Sequence, residues 1–241
     1  MFHRISKPLK SNSFFLFGAR GTGKTTFLKQ YFKTESCYWI DLLKPSEEDK
    51  YARNPQILLQ FLEQQKNPFD WIVIDEVQKV PALLDIVHLC IEKYQTRFAL
   101  TGSSARKLKR GAANLLAGRA FVYHLFPLTH IETADQFVLD EALCWGNLPK
   151  IYELKSDEEK KEFLRAYSLI YLKEEIWSEH IVRKLDPFRK FLEAAAQNNG
   201  EVVNFKNIAL DVGVDNKTVQ SYYQILEDTL VGFMLYPYHR S

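Results

Sequence analysis

A glycine-rich segment near the N-terminus has the residue types and spacing of a phosphate-binding loop. Residues 18–25 read Gly-Ala-Arg-Gly-Thr-Gly-Lys-Thr and match the pattern GxxxxGK[ST] at every fixed position, between an apolar run and a helical pattern. Glycines let consecutive backbone N–H groups curl around phosphate oxygens, and the following helix presents its positive end to them. Lys24 can then reach the β- and γ-phosphates during catalysis, and the Thr25 hydroxyl can bind Mg²⁺. The residues that we expect to hold a nucleotide here are Gly18, Arg20, Gly21, Thr22, Gly23, Lys24, Thr25 and Thr26.

Two adjacent carboxylates supply the second part of the predicted site. Asp75 and Glu76 end an apolar run, 71–74, and lie about fifty residues after the glycine-rich loop. We expect Asp75 to hold Mg²⁺ through a water and Glu76 to polarise the water that attacks the γ-phosphate. An acidic pair after a strand is often only a helix cap, but its position after a complete phosphate loop favours the catalytic interpretation.

Polar residues at the end of the next apolar run are candidates for sensing the γ-phosphate. The run 98–100 leads into Thr101 and then Gly102-Ser103-Ser104. Thr101 or Ser103 could contact the γ-phosphate or the attacking water. Ser104 is explained equally well as the N-cap of a following helix.

Arginines supply the remaining candidate charges. The stretch 106–119 contains five basic residues and no acidic one, so it could bind nucleic acid, dock a partner, neutralise phosphate or form a solvated loop. Arg119 directly precedes a predicted strand, and an arginine held at such a boundary can act as an arginine finger, from its own subunit or from a neighbour. Arg20, inside the loop, is the competing candidate. The other basic residues of the stretch are Arg106, Lys107, Lys109 and Arg110.

The elements that would position these residues form an α/β pattern. Short apolar runs alternate with helical patterns between residue 13 and about residue 127, which is typical of a parallel sheet covered by helices on both faces. Asn54-Pro55 predicts a helix start, and apolar spacing predicts a second helix from Val80 to Tyr94. The predicted strands are Ser13–Phe17, Cys37–Asp41, Trp71–Asp75, Arg97–Thr101 and Ala120–Leu125.

The second half of the chain carries no strand signal. Residues 129–200 follow helical patterns and end in the turn residues Asn-Asn-Gly. The last forty residues predict a helix–turn–helix, with helices at Phe205–Val212 and Lys217–Thr229.

Composition excludes several classes of protein. The 241 residues are 46% hydrophobic and 26% charged with a net charge of +2, which is typical of a globular protein and gives no overall field toward nucleic acid or membrane. No apolar run approaches the roughly 18 residues of a membrane span, and no signal-peptide core is present. Three scattered cysteines argue against disulfides and zinc, so we expect a cytoplasmic protein.

Taken together, these motifs resemble those of the bacterial and archaeal AAA-type ATPases that carry a winged-helix domain and usually a restriction-endonuclease-like domain after it. The resemblance rests on the loop at 18–26 and on the segments 74–81, 100–104, 116–119, 146–149 and 226–230. It implies ATP and Mg²⁺ as ligands and a P-loop NTPase sheet of order 5-1-4-3-2. It also implies that Pro149 lies against adenine.

The resemblance further implies three parts: an ATPase core at 1–128, a helical lid at 129–200 and a winged helix at 201–241. The family normally continues into its C-terminal domain where this sequence ends, at 237–241. We therefore expect that domain to be lost or truncated, and any activity that it contributes cannot be assigned to these residues.

Three functions remain open at this stage. The first is an ATPase that acts as a nucleotide-driven switch, which the adjacent Asp75 and Glu76 favour; the second is a small-molecule P-loop kinase. The third is a DNA-binding regulator in which ATP only sets the conformation, or a winged helix that binds a protein partner. The second helix of the helix–turn–helix would expose Lys217, Gln220, Ser221 and Gln224, but residues 204–241 hold three basic against four acidic residues, a poor footprint for DNA. The sequence leaves the oligomeric state open.

Overall fold

The computed structural model describes residues 2–65, 69–103, 116, 118–171 and 185–238. The chain forms two compact units, residues 1–155 and 156–241. The division into three parts at 128 and 200 stays a prediction.

A five-stranded parallel sheet forms the centre of the first unit. Its strands lie in the order β2-β3-β4-β1-β5, which is 5-1-4-3-2 when it is counted from the opposite edge. Three strand bounds differ from prediction by one residue each: β4 begins and ends one residue later than predicted, and β5 ends one residue earlier. The strands are β1 Ser13–Phe17, β2 Cys37–Asp41, β3 Trp71–Asp75, β4 Phe98–Gly102 and β5 Ala120–His124.

Burial divides these strands into central and edge members. Every residue of β1, β3 and β4 is buried, because each of these strands has a neighbour on both sides. The expectation that all five strands are buried on both faces is wrong for the two edge strands: only Ile40 is buried in β2, and Phe121 and Val122 of β5 are 37% and 56% exposed. β5 is an edge strand, so its side chains have fewer neighbours to pack against.

Six α-helices are described in the first unit. The helix predicted after Asn54-Pro55 is confirmed, and the Asn54 side-chain oxygen accepts a hydrogen bond from the Gln56 N–H at 3.1 Å. The helix predicted from Val80 begins at Leu83 instead, after a 3₁₀ turn at Val77–Lys79. The α-helices are α1 Lys24–Tyr31, α2 Pro45–Arg53, α3 Gln56–Gln65, α4 Leu83–Tyr94, α5 His130–Thr133 and α6 Leu139–Trp145.

The second unit consists of helices in the residues that the structure describes. They are α7 Asp157–Tyr171, α8 Leu185–Gln197, α9 Phe205–Val212 and α10 Asn216–Asp228. Three of them, α8, α9 and α10, share one core around Phe188, Phe191 and Tyr222. Gly213, at φ 76°, ends α9 in the left-handed region that glycine tolerates.

The predicted helix–turn–helix is therefore present, with its second helix starting one residue early. Asp215 caps α10 by accepting the Thr218 N–H at 2.9 Å. Residues 229–238, which follow α10, contain no strand, so no wing is seen in this part of the structure. Across the described ranges of both units, no helix combines the length and the apolar character that crossing a membrane requires.

Candidate nucleotide-binding site

The glycine-rich loop begins where β1 ends and lies at the carboxyl edge of the sheet. Its first residue, Gly18, donates its N–H to the Gly102 carbonyl at the end of β4, at 3.2 Å. A Cβ at Gly18 would lie 2.4 Å from the Leu125 backbone oxygen, so only glycine fits there. Gly21 and Gly23 take φ values of 78° and 86°, which other residues rarely adopt. The loop conformation thus depends on the glycines that define the motif.

The Lys24 side chain is buried and folds back over the loop. Its Nζ donates to the backbone oxygens of Gly18, at 2.8 Å, and of Ala19, at 3.4 Å. The same ammonium lies 3.4 Å from Glu76 Oε1 and pairs with it. Lys24 therefore joins the loop to the acidic pair.

Asp75, at the end of β3, connects the loop to β4. The Thr25 hydroxyl donates to Asp75 Oδ2 at 2.6 Å, and the Thr101 hydroxyl donates to Asp75 Oδ1. One hydroxyl and one carboxylate placed together at the loop are ligand types that fit Mg²⁺, which usually keeps several waters and substrate phosphates as its other ligands. Thr25 and Asp75 are the residues that would hold it.

Glu76 has an unusual backbone and a fully engaged side chain. It lies at φ 59° and ψ 49°, in the left-handed region, and its N–H donates to the Thr101 hydroxyl oxygen at 2.9 Å. Its Oε2 accepts hydrogen bonds from the Gln78 amide, from the Ser103 hydroxyl at 3.0 Å and from the Ser103 N–H at 3.3 Å. Such strain is found at functional sites where the surrounding structure holds it.

Opposing effects set the charge state of Glu76. Burial alone would raise the pKa of this carboxyl, but the Lys24 ammonium and the hydrogen bonds from Gln78 and Ser103 outweigh burial and hold the pKa below its usual range. Glu76 is therefore an anion at neutral pH.

Thr101 and Ser103, the two candidates for sensing the γ-phosphate, contact different parts of the acidic pair. Thr101 contacts Asp75 and the backbone of Glu76, whereas Ser103 contacts the carboxylate of Glu76. Ser104 and the basic residues Arg106, Lys107, Lys109 and Arg110 lie outside the described residues.

Arg119 lies away from the loop. It precedes Ala120, which is paired with Ser13 at the start of β1, whereas the glycine-rich loop follows the other end of β1, where Phe17 is paired with His124. Four residues of strand separate these ends by roughly 13 Å. The Arg119 guanidinium also pairs with Glu92 on α4. This geometry does not support the version of the prediction in which Arg119 acts in its own subunit, and a role for Arg119 stays a prediction.

Comparison with known families agrees with this geometry. A model described as "AAA domain" matches residues 10–134, which include the sheet, the loop and the acidic pair. The chain belongs to the AAA domain family. Residues 136–241 match a domain of unknown function, so neither the winged helix nor the restriction-endonuclease-like domain is identified by these matches.

Individual relatives are distant. An uncharacterised protein of Haemophilus influenzae is 24% identical over 90% of this chain, and the chain spans 60% of that relative's length. The solved structure of the Aeropyrum pernix ORC2 protein, in ADPNP and ADP complexes, is 14% identical with a TM-score of 0.51, covering 91% of this chain and 80% of that one. The Aeropyrum pernix ORC1 protein in complex with DNA is 12% identical with a TM-score of 0.43, covering 94% and 79%. The ORC2 match shows a shared fold.

Pro149 lies next to the loop of the AAA domain. A Cβ built on Gly23 would be 3.8 Å from Pro149 Cγ, in ordinary contact. Two residues before Pro149, Asn147 Oδ1 accepts a hydrogen bond from the Tyr152 hydroxyl at 2.9 Å. The Tyr152 ring packs edge-on against the Phe2 ring, with the ring centroids 5.3 Å apart. The position of Pro149 is compatible with the predicted adenine contact, which stays a prediction.

Three loop residues differ in exposure. Thr22 is buried and its hydroxyl donates to the Ala19 carbonyl at 2.9 Å, so it stabilises the turn of the loop. Arg20 is half-buried and Thr26 is exposed on the first turn of α1. Their predicted contacts with nucleotide stay predictions.

Arg4 is a residue of the site that the sequence analysis missed. Its guanidinium is buried and donates to the Thr22 carbonyl in the loop, at 2.8 Å, and to the Phe126 carbonyl. It also pairs with Glu132 at 3.0 Å, and Glu132 accepts the Ile5 N–H at 2.8 Å. Arg4 belongs to no motif and is separated from Glu132 by 128 positions, so no local pattern marks it.

We predict that Arg4→Met lowers the free energy of unfolding of the AAA domain by about 3 kcal/mol, because it removes the buried cation that pairs with Glu132 and donates to two carbonyls. Urea titration followed by tryptophan fluorescence would measure this loss. Lys10→Met is the matched control, since its pair with Glu35 is largely exposed and should contribute little. An equal loss of unfolding free energy in Arg4→Met and Lys10→Met would contradict the prediction that the buried contacts of Arg4 stabilise the loop.

Proposed function

We propose that the AAA domain binds ATP with Mg²⁺ and hydrolyses it to ADP and phosphate as a nucleotide-driven switch. One observation carries the proposal: the Thr25 hydroxyl lies 2.6 Å from Asp75 Oδ2, so the loop and the acidic pair meet at one point. The mutual position of Lys24 and Glu76, 3.4 Å apart, supports the same conclusion.

Each residue has a role that follows from its position. Lys24 exchanges Glu76 and the loop carbonyls for the β- and γ-phosphates, because phosphate is a stronger partner for its charge. Mg²⁺, when bound, neutralises charge that develops on the phosphate oxygens. Glu76, released on its Oε1 side, then accepts a proton from the attacking water. Thr25 and Asp75 provide the hydroxyl and the carboxylate on the metal side, and Ser103 keeps Glu76 in place.

A P-loop kinase is less well supported. A kinase must keep water away from the γ-phosphate, whereas Glu76 lies beside the loop and its Oε1 becomes available to a water when Lys24 turns to phosphate. Measuring ADP release with and without candidate acceptors separates the two activities.

DNA binding is a second candidate for the helix–turn–helix. The four polar residues predicted to be presented by the second helix are all exposed on α10: Lys217, Gln220, Ser221 and Gln224. Side chains of these types can read base edges or phosphates. The three basic against four acidic residues in 204–241 weaken this candidate and leave a protein partner open.

Lys24→Ala tests the nucleotide site itself. We expect it to abolish tight nucleotide binding, because it removes the side-chain cation placed for the phosphates and leaves only backbone donors. Titration with a fluorescent ATP analogue measures the affinity. Lys29→Ala, an exposed lysine on the same helix, is the control and should bind normally. Wild-type affinity in Lys24→Ala would disprove the assignment of the loop.

A further inference from the structure

Gln78 is buried in the centre of the site, although no part of the predicted chemistry uses it. It lies in the 3₁₀ turn Val77–Lys79 and is only 7% exposed. Its amide Nε2 donates both to Glu76 Oε2 and to the Ser103 hydroxyl, the latter at 3.0 Å. Gln78 therefore joins the proposed base to the residue at the end of β4.

The orientation of the Gln78 amide follows from its neighbours. Only the NH₂ group can face the Glu76 carboxylate, because a carbonyl there would place two acceptors together. In this orientation Gln78 Oε1 is buried and has no hydrogen-bond partner within the described part of the chain. A buried acceptor without a partner costs stability, so a role in function is the natural reason to retain it.

The glycine at the end of β4 makes room for this side chain. A Cβ at Gly102 would lie 2.9 Å from Gln78 Oε1. Because Gly102 also accepts the N–H of Gly18, the Gln78 amide lies directly beside the point where the loop joins the sheet.

The two carboxylate oxygens of Glu76 have different partners. Oε2 is held by Gln78 and Ser103, whereas Oε1 is paired with Lys24. When Lys24 turns to phosphate, Oε1 loses its partner while Oε2 keeps its hydrogen bonds. The carboxylate then has one fixed oxygen and one that is available to a water.

We propose that Gln78 is a positioning residue for hydrolysis: it fixes Oε2 of Glu76 so that Oε1 faces the attacking water. The proposal rests on the proposed ATPase function and adds a residue to it. Gln78 contacts neither the nucleotide nor the water, and acts through Glu76 and Ser103.

Gln78→Met tests this proposal, because it keeps the length of the side chain and removes the donor. We expect kcat to fall about 10²-fold, the loss typical of a misplaced catalytic group, with KM for ATP nearly unchanged. The fall in kcat at a constant KM, with kcat referred to the folded fraction of each variant, separates a positioning role from a loss of stability. Thr96→Val is the matched control: Thr96 is buried with an unpartnered hydroxyl in the described structure, but lies just before the other end of β4.

A second measurement does not depend on turnover. The affinity for a non-hydrolysable ATP analogue should be the same in wild type, Gln78→Met and Thr96→Val, because Gln78 contacts no nucleotide. Gln78→Asn, which has an amide too short to reach Glu76, should behave like Gln78→Met.

The outcomes separate this proposal from the function on which it rests. Absence of ATP turnover in the wild-type protein overturns the proposed function and this inference together. Turnover that is lost in Glu76→Gln but keeps its wild-type kcat in Gln78→Met overturns the role of Gln78 alone. Weaker binding of the ATP analogue by Gln78→Met that accounts for the whole loss of turnover also overturns it.

Discussion

Replacing Glu76 by glutamine should leave ATP and Mg²⁺ bound and lower turnover by about 10²–10⁴-fold. Glutamine keeps the size and the hydrogen bonding of the side chain and removes the proton acceptor. Thr25 and Asp75 would hold the metal. The Thr25 hydroxyl donates to Asp75 Oδ2 at 2.6 Å, and this contact does not involve Glu76. Steady-state phosphate release, with ATP binding measured separately, would test the prediction.

The structure also predicts the direction in which the affinity for ATP changes in Glu76→Gln. Lys24 is paired with Glu76 Oε1 at 3.4 Å, and this pair must break before Lys24 can contact phosphate. The neutral amide of the variant competes less for Lys24, so ATP should bind at least as tightly as to wild type. Glu47→Gln, on α2, is the control and should leave both quantities unchanged. Wild-type turnover in Glu76→Gln would reduce Glu76 to a structural residue, and loss of binding would indicate misfolding.

The sheet and the loop could be predicted from the sequence because their determinants are local. The apolar runs that form β1, β3 and β4 are short and uninterrupted, and the loop pattern names its own glycines. The burial of β5 was mispredicted because its run is apolar, although the strand lies at an edge. Apolar composition predicts a strand well, but the order of the sheet decides how much of it is covered.

The contacts of the site could be predicted only in part. Motifs indicated Lys24, Thr25, Asp75 and Glu76, because their chemistry requires those residue types at that spacing. Arg4 and Gln78 gave no such signal, since a buried guanidinium and a buried amide are defined by their partners. The left-handed backbone of Glu76 was equally invisible, because nothing in its residue type favours φ 59°.

The sequence predicted correctly that Arg119 directly precedes a strand, but it did not show at which edge of the sheet that strand begins. In a parallel sheet, however, the starts of the strands and the loops after them lie at opposite edges, and Arg119 lies at the start of β5. The arrangement therefore favours the form of the prediction in which Arg119 reaches the γ-phosphate of a neighbouring subunit.

Arg119→Ala should therefore bind ATP nearly normally and lose roughly 10³-fold or more in turnover, provided that subunits associate. The physical reason is that charge on the γ-phosphoryl oxygens in the transition state can be contacted at two points by a planar guanidinium. Arg119→Lys should restore activity only in part, because a point charge cannot reproduce that geometry. Glu92→Gln, which removes the partner of Arg119 on α4, is the control and should retain activity.

Mixing two inactive variants tests whether the arginine acts between subunits. In a mixture of Arg119→Ala and Glu76→Gln proteins, some neighbouring pairs combine an intact Glu76 in one subunit with an intact Arg119 in the next, and these pairs should hydrolyse ATP. Specific activity of the wild type should also rise with protein concentration, because dilution separates the subunits. Failure of the mixture to recover activity would contradict action between subunits. Unchanged turnover in Arg119→Ala alone would remove Arg119 from the mechanism and transfer the role to Arg20, inside the loop, or to a separate partner.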